Sequence, residues 1–99
     1  MYKFERIESS YLTKQGCRLV WMDKQKELEH IVFLKNDDLE HVFDVLEKNS
    51  TDKVELEDGT SSIMINSDMV EFHLPQKKLL TVEREILKQK IAEYMEDQK

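Results

Sequence analysis

The chain has 99 residues, of which 39% are hydrophobic and 36% are charged, and its formal net charge is −6. This length holds one domain with a hydrophobic core, and the composition excludes a disordered chain. The charge is unevenly placed: residues 1–35 carry a net +2, residues 36–75 a net −9 and residues 76–99 a net +1. Nucleic acids bind basic surfaces, so we expect no direct nucleic-acid binding. A basic partner protein would instead be attracted to the middle section.

Cysteine usage and the lack of long apolar segments indicate the compartment. Cys17 is the single cysteine, which excludes an internal disulfide and favours a reducing environment. The first residues lack the apolar run of a secretion signal, and the longest aliphatic or aromatic run, residues 31–34, is too short to cross a bilayer. We therefore expect a cytoplasmic protein that does not associate with membranes.

The first third of the chain predicts strands. Residues 2–7 alternate weakly and predict a short edge strand, and the polar residues 8–16 predict a loop. Residues 17–22 and 28–34 are rich in β-forming side chains and predict a hairpin around a polar turn.

The register of this hairpin stays open at the level of sequence. A turn centred on Lys24-Gln25 pairs Trp21 with Leu28, and a three-residue loop pairs Leu19 with Ile31 instead. Because residues 28–34 carry apolar side chains at successive positions, we expect this strand to lie inside a sheet rather than at its edge.

Residues 36–49 predict a helix. Asn36 is a preferred N-cap residue, and acidic residues follow it in the first turn, where the helix dipole favours negative charge. Four apolar residues have the spacing of a core-facing stripe: Leu39, Val42, Phe43 and Leu46. Asn49 is a candidate for a left-handed C-terminal cap.

Residues 52–74 predict a three-stranded β-meander with two tight turns. Asp58-Gly59 is typical of a two-residue type I′ turn, and a second turn is centred on Ser67-Asp68. Counted outward from these turns, the strands place all their large aliphatic and aromatic residues except Met64 on one face: Val54, Leu56, Ile63, Ile65, Val70, Phe72 and Leu74. A slip of one residue would set Ile63 opposite Glu71, which argues against it.

Residues 80–98 predict a C-terminal helix, with Thr81 as a candidate N-cap. The chain is therefore predicted to be α+β, a single domain over residues 1–99. Its predicted fold is a single antiparallel sheet, built from a β-hairpin and a three-stranded meander, with two helices packed on one face.

Sites for chemistry are sparse, and we predict neither a cofactor nor an enzyme. Asp37, His41 and Asp44 have a spacing that can hold a transition metal, but a solvated acidic helix face explains them more simply. Cys17 with His30 is the one nucleophile–base combination that strand arithmetic allows, and it lacks an orienting carboxylate. Glu71 and His73 lie two residues apart on the outer face of the meander, where a general acid–base pair is the alternative to two surface residues.

Three features predict binding. The outer face of the meander carries acidic residues around a methionine, and methionine adapts well to a partner surface; these residues are Glu55, Glu57, Met64, Glu71 and His73. Trp21 is a candidate hot spot, with core packing as the alternative. The C-terminal helix carries a narrow apolar seam, Leu87, Ile91 and Tyr94, that fits either the core or a second copy of the chain.

These observations lead to two functional hypotheses. In the first, the chain is a small, acidic, non-enzymatic protein-interaction domain, a homodimer that binds and inhibits or regulates another macromolecule. A nucleic-acid enzyme is one such target, with the row of Asp and Glu imitating phosphate charge, as in accessory proteins of phages and other mobile elements, by analogy only. In the second, the chain is a structural or assembly subunit that forms a homo-oligomer.

Overall fold

The computed structural model describes residues 1–9 and 15–98, which form seven strands and two α-helices. The elements, in chain order, are β1 (Lys3–Ser9), β2 (Gly16–Asp23), β3 (Leu28–Lys35), α1 (Asn36–Glu47), β4 (Asp52–Glu55), β5 (Ser62–Ile65), β6 (Met69–Leu74), a short 3₁₀ segment (Pro75–Lys77), β7 (Lys78–Glu83) and α2 (Arg84–Asp97). The predicted loop over residues 8–16 is shorter at both ends, and residues 10–14 lie outside the described part of the chain.

The α+β class is confirmed, but the prediction of a single sheet is wrong. The strands form two antiparallel sheets, a three-stranded sheet in the order β1-β2-β3 and a four-stranded sheet in the order β4-β5-β6-β7. The inner faces of the two sheets meet, since the Trp21 ring packs edge-on against Phe72 with 4.9 Å between ring centroids. Its Nε1 donates a hydrogen bond of 2.9 Å to the carbonyl of Thr81. Each sheet buries its apolar face against that of the other, so the two sheets stack face to face and do not join into a single sheet.

Both predicted registers of the β2–β3 hairpin are wrong. Trp21 pairs with His30 and Leu19 with Val32, around a turn of four residues in which Glu27 has a φ of 52°. The carboxylate of Asp23 holds this turn by accepting the amides of Gln25 at 3.1 Å and Lys26 at 3.3 Å. Such local side-chain bonds lengthen a turn without any signal in the apolar pattern.

The strand over residues 28–34 lies at an edge of its sheet rather than inside it, contrary to the prediction. The apolar residues on its two faces differ in burial. Val32 and Leu34 point into the core, whereas Ile31 and Phe33 point outward and are 43% and 42% exposed.

The register predicted for the β-meander is confirmed. Val54 pairs with Ile63, Ile63 with Phe72 and Ile65 with Val70, and the predicted inner face is buried or half-buried throughout. The first turn is not type I′, because only Gly59 has a positive φ (73°) and Leu56 donates its amide to the carbonyl of Ser61 across four intervening residues. The same pairing is thus reached through a longer turn.

The meander has a fourth strand that was not predicted. Residues 78–83 form β7, which pairs with β6 and places Leu80 and Val82 in the core. The C-terminal helix accordingly begins at Arg84 rather than near residue 80, and Thr81 is a strand residue, not a helix cap.

Helix α1 begins at Asn36, with Lys35 at the N-cap position and without a side-chain cap, so the predicted capping role of Asn36 is wrong. Asn49 has a φ of 54°, which confirms the left-handed residue expected after the helix. Leu39, Val42 and Leu46 are buried as predicted, Val45 joins them, and Phe43 is only half-buried.

One hydrophobic core contains residues from both sheets and both helices. The two helices contact each other and strands of both sheets, so they close the core rather than cover one face of a single sheet. Arg84, at the first position of α2, is 4% exposed and donates from its guanidinium to four backbone carbonyls: Val45, Leu46, Ser50 and Asn66. Its amide donates to the carbonyl of Asp68 at 2.9 Å, so this one residue joins the end of α1, the β5–β6 turn and the start of α2.

Candidate functional site

The outer face of the four-stranded sheet carries four of the five residues predicted to bind a partner. Two cross-strand rows run over this face, Lys53–Met64–Glu71–Thr81 and Glu55–Ser62–His73–Leu79. Met64 is half-buried between neighbouring side chains, and Glu71 Oε1 lies 3.0 Å from His73 Nε2. Lys53 Nζ lies 3.8 Å from Glu55 Oε1, so this face has less net negative charge than its acidic residues alone suggest.

Glu57 is not part of that face. It lies in the turn after β4, where its carboxylate pairs with the ammonium of Lys35 at the end of β3. The four-residue turn breaks the strict alternation from which its position was predicted, so the side chain points toward the other sheet instead.

An acidic region lies beside this sheet, where α1 runs next to the edge strand β4. His41 Nε2 lies 2.9 Å from Asp52 Oδ2 and thereby joins the solvent face of the helix to the strand. We call this region the α1–β4 acidic surface; it comprises Asp37, Glu40, Asp44 and Asp52. All four are exposed to solvent, and every acidic residue between positions 36 and 75 is exposed or half-buried.

Local hydrogen bonds keep two carboxylates of this part of the chain ionised. The bond from His41 lowers the pKa of Asp52, and the backbone amide of Lys53, at 2.8 Å, lowers it further. The Ser61 hydroxyl, at 2.6 Å, lowers the pKa of Asp58, and the amides of Thr60 and Ser61 act in the same direction. The negative charge of the region is therefore maintained well below neutral pH.

The nucleophile–base combination Cys17 with His30 is not brought together. In the observed register Cys17 opposes Leu34, four positions along β3 from His30. Burial raises the pKa of the Cys17 thiol to about 12, so the thiolate that a nucleophile needs does not form near neutral pH. His30 Nδ1 instead lies 2.7 Å from Lys78 Nζ, and the Lys78 ammonium lies 4.8 Å from the centroid of the Tyr2 ring.

The candidate metal ligands on α1 have other partners. His41 contacts Asp52, and Asp44 pairs with Lys48 at 3.0 Å. Within residues 1–9 and 15–98, no group of three or more His, Cys, Asp or Glu side chains is placed to hold a metal ion. Glu71 and His73 do meet, on the open outer face of the sheet.

The apolar seam of α2 lies in the chain's own core. Leu87 and Ile91 are fully buried, and Tyr94 is half-buried against the same core. Trp21 is fully buried as well, so its size contributes to the contact between the sheets rather than to an exposed hot spot. Self-association through Leu87 and Ile91 would require this helix to leave its core.

Sequence reasoning missed one surface, the outer edge of β3. A groove of about 500 Å³ runs along it, bounded by the β3 backbone on one side and by the turns around Leu56 and Pro75 on the other. Gln76 and Lys77, which follow Pro75, have positive φ angles of 64° and 60°. A signal for this strand was present in the run Ile31 to Leu34, which carries apolar residues on both faces. Only one face of the three-stranded sheet packs on the core, so the apolar residues on the other face of this edge strand are exposed.

Known proteins give no further indication of the function. No protein-family model, no curated protein and no solved structure matches this chain.

Proposed function

We propose that this chain is a small, non-enzymatic protein-binding domain that uses the α1–β4 acidic surface to bind a partner with a basic surface. The observation that carries the proposal is the contact between His41 and Asp52, at 2.9 Å. It sets the exposed carboxylates of a helix beside the exposed carboxylate of Asp52 on an edge strand. Charges arranged in this way attract an oppositely charged protein and increase its rate of association.

The adjoining outer face of the four-stranded sheet extends this binding surface. Glu55 lies on this face at its β4 edge, and Met64, Glu71 and His73 lie on the strands beside it. The half-buried Met64 provides an adaptable apolar contact among polar neighbours. Glu57, which pairs with Lys35 at the other end of the sheet, is not included.

Binding of this kind serves to inhibit or regulate the partner. If the partner is an enzyme that acts on nucleic acid, its basic cleft accepts phosphate groups, and the carboxylates of the acidic surface take the place of those groups. None of the acidic residues between positions 36 and 75 is buried, which supports this form of the proposal.

Capture from a lysate of the native host, at low and at high salt, tests the proposal. The bait is the wild-type chain, and the test variant changes three exposed residues to lysine: Glu40 and Asp44 of the acidic surface, and Glu55 of the adjoining sheet face. This variant leaves Asp52 and His41 in place, so the join between α1 and β4 is retained. The matched control changes three exposed carboxylates outside the surface to lysine, which gives the same change in net charge: Glu27, Glu93 and Asp97.

We expect a partner that the wild type and the control capture at low salt, and that high salt and the test variant both release. Salt weakens contacts between exposed charges because the screening length shrinks to about 3 Å at 1 M ionic strength. Equal capture by wild type, test variant and control, or capture that salt does not affect, would contradict binding through the acidic surface.

A second candidate function, a structural subunit of a homo-oligomer, is favoured by a different observation. Ile31 and Phe33 are large apolar residues exposed on an edge strand, where another strand can add to the sheet. A concentration-independent monomer in sedimentation would remove this candidate.

A further inference from the structure

The outward side chains of β3 form a sequence that is complementary to itself. They are, in order, Glu29, Ile31, Phe33 and Lys35: an acid, two apolar residues and a base. Their cross-strand neighbours on β2 are Met22, Val20, Arg18 and Gly16, so the whole set lies on the outer face of the three-stranded sheet. Val20, the cross-strand neighbour of Ile31, is fully buried even though it lies on this outer face.

The edge of β3 is available for pairing. Among the strands in residues 1–9 and 15–98, none pairs with the outer edge of β3, and the groove of about 500 Å³ runs along it. An unpaired strand edge carries a row of backbone donors and acceptors that another strand can satisfy.

We infer that two copies of this chain pair antiparallel through β3, so that their three-stranded sheets become one six-stranded sheet across a two-fold axis at Val32. In this register Ile31 faces Phe33 of the second copy, and Glu29 faces Lys35 of the second copy. Each contact occurs twice because a two-fold interface uses the same patch on both chains. Opposite charges and apolar pairs directly across from each other stabilise an antiparallel pair.

The pattern selects this register over its neighbours. A shift of two residues in one direction would set Glu29 opposite Phe33, and a shift in the other would set Ile31 opposite Lys35. Both place a charge against an apolar side chain. A shift of one residue would instead bring the outward face of one strand onto the inward face of the other, which the burial of Val32 and Leu34 forbids.

Within one chain, Glu29 already pairs with Arg6 and Lys35 with Glu57, and all four side chains are at least 38% exposed. Exposed pairs of this kind contribute little and exchange readily, so they do not prevent a second copy from taking over the contact. The inference goes beyond the proposed function, because pairing through β3 uses none of the carboxylates of the α1–β4 acidic surface.

Charge reversal with complementation tests the inference by sedimentation velocity over a range of protein concentrations. Glu29→Lys alone sets two lysines opposite each other at both ends of the interface, and Lys35→Glu alone sets two glutamates opposite each other. We expect each single variant to dimerise about tenfold more weakly than the wild type. An equimolar mixture of the two variants restores opposite charges at both ends and should associate about as strongly as the wild type.

This design separates the interface from the pairs within one chain. In the mixture, the contact that each variant lacks, residue 29 with Arg6 in one and residue 35 with Glu57 in the other, stays broken, so recovered association has to come from contacts between chains. Far-UV circular dichroism confirms that each variant is folded.

The apolar contacts are tested with Phe33→Ser, for which Leu79→Ser is the matched control. Leu79 is 49% exposed on the outer face of the four-stranded sheet, where it pairs with His73. Phe33→Ser should abolish the dimer and Leu79→Ser should keep it. A wild type that stays monomeric at every concentration, single variants that dimerise as strongly as the wild type, or a mixture that fails to associate would each overturn the inference.

Discussion

Arg84 joins three parts of the chain with one side chain. Within residues 1–9 and 15–98 this buried cation has no carboxylate partner, and four backbone carbonyls take that role. Two of them, from Val45 and Leu46, lie at the C-terminal end of α1, where the helix dipole favours positive charge. The guanidinium is suited to this position because its planar fork carries five N–H donors.

Arg84→Met should therefore destabilise the fold. It retains much of the aliphatic volume but removes the donor from the carbonyls of Ser50 and Asn66, whereas the carbonyls of Val45 and Leu46 still accept backbone amides. A buried polar group that loses its partner costs about 1–3 kcal/mol. We expect a loss of about 3 kcal/mol or more in the free energy of unfolding, measured by urea denaturation. Arg84→Lys, which keeps the charge but has fewer donors in a different geometry, should recover only part of the loss. An unchanged urea midpoint for Arg84→Met would contradict the assigned role.

His30 connects the two sheets and makes their contact dependent on pH. Burial lowers the pKa of His30 from its ordinary value of 6.5, and the neighbouring charge of Lys78 lowers it further. Because the pKa is lower in the folded state, the unfolded chain takes up this proton first as the pH falls. The stabilising contribution is therefore complete above pH 6.5 and is lost as the pH falls below it.

The wild type should accordingly unfold at lower urea concentration at pH 5.5 than at pH 7.5, and His30→Gln should reduce this difference. The carboxylates with lowered pKa values, Asp23, Asp52 and Asp58, lose their contributions only at lower pH, since their ordinary value is 3.8. The same pH dependence in wild type and His30→Gln would assign the effect to another group.

At the scale of elements, β2 and β7 are held together by the indole of Trp21. The ring contacts Phe4 and Phe72, and its Nε1 donates to the carbonyl of Thr81. Trp21→Phe retains an aromatic ring but removes the donor and part of the volume, so we expect a loss of about 2 kcal/mol in the free energy of unfolding. Thermal or urea unfolding measures it, and Tyr2→Phe, a change at a half-buried ring outside this contact, serves as the control. Equal stability of Trp21→Phe and wild type would show that the indole hydrogen bond contributes little to the contact between β2 and β7.

The elements that sequence predicts well are those specified by local contacts. The pairing of β4, β5 and β6 follows from two nearby turns and one apolar face, and it is observed as predicted. The β2–β3 register differs because the carboxylate of Asp23 and the left-handed Glu27 extend the turn, and neither changes the apolar pattern. Part of strand β7 has the sequence pattern of a helix start, because Thr81 followed by acidic residues is typical of a helix N-terminus. The sequence therefore predicts a helix from residue 80 where the structure has a strand.

At the scale of the whole molecule, contacts between distant parts of the chain decide what a local pattern leaves open. Whether the seven strands form one sheet or two depends on whether Trp21 packs against Phe72 or against a helix. The residues close to Trp21 in sequence indicate neither arrangement. The same holds for the candidate site: Glu55, Met64, Glu71 and His73 share a face as predicted, whereas Glu57 is drawn to Lys35 by a contact across 22 positions. The meeting of α1 and β4 through His41 and Asp52 is equally non-local.

Two separate surfaces result from this arrangement. The acidic surface lies where α1 meets the edge of the four-stranded sheet, and the self-complementary strand lies at the edge of the three-stranded sheet. No helix in residues 1–9 and 15–98 is long and apolar enough to span a membrane. In the dimer proposed above, each copy would present its own acidic surface to a partner molecule.

Contact of the α1–β4 acidic surface with a partner can be measured by amide hydrogen exchange, followed by mass spectrometry on the complex recovered by the capture experiment. We expect slower exchange in residues 36–55 when the partner is bound, and unchanged exchange in α2. Slower exchange confined to α2 or to the strands β1 and β2, with residues 36–55 exchanging as in the free chain, would contradict it.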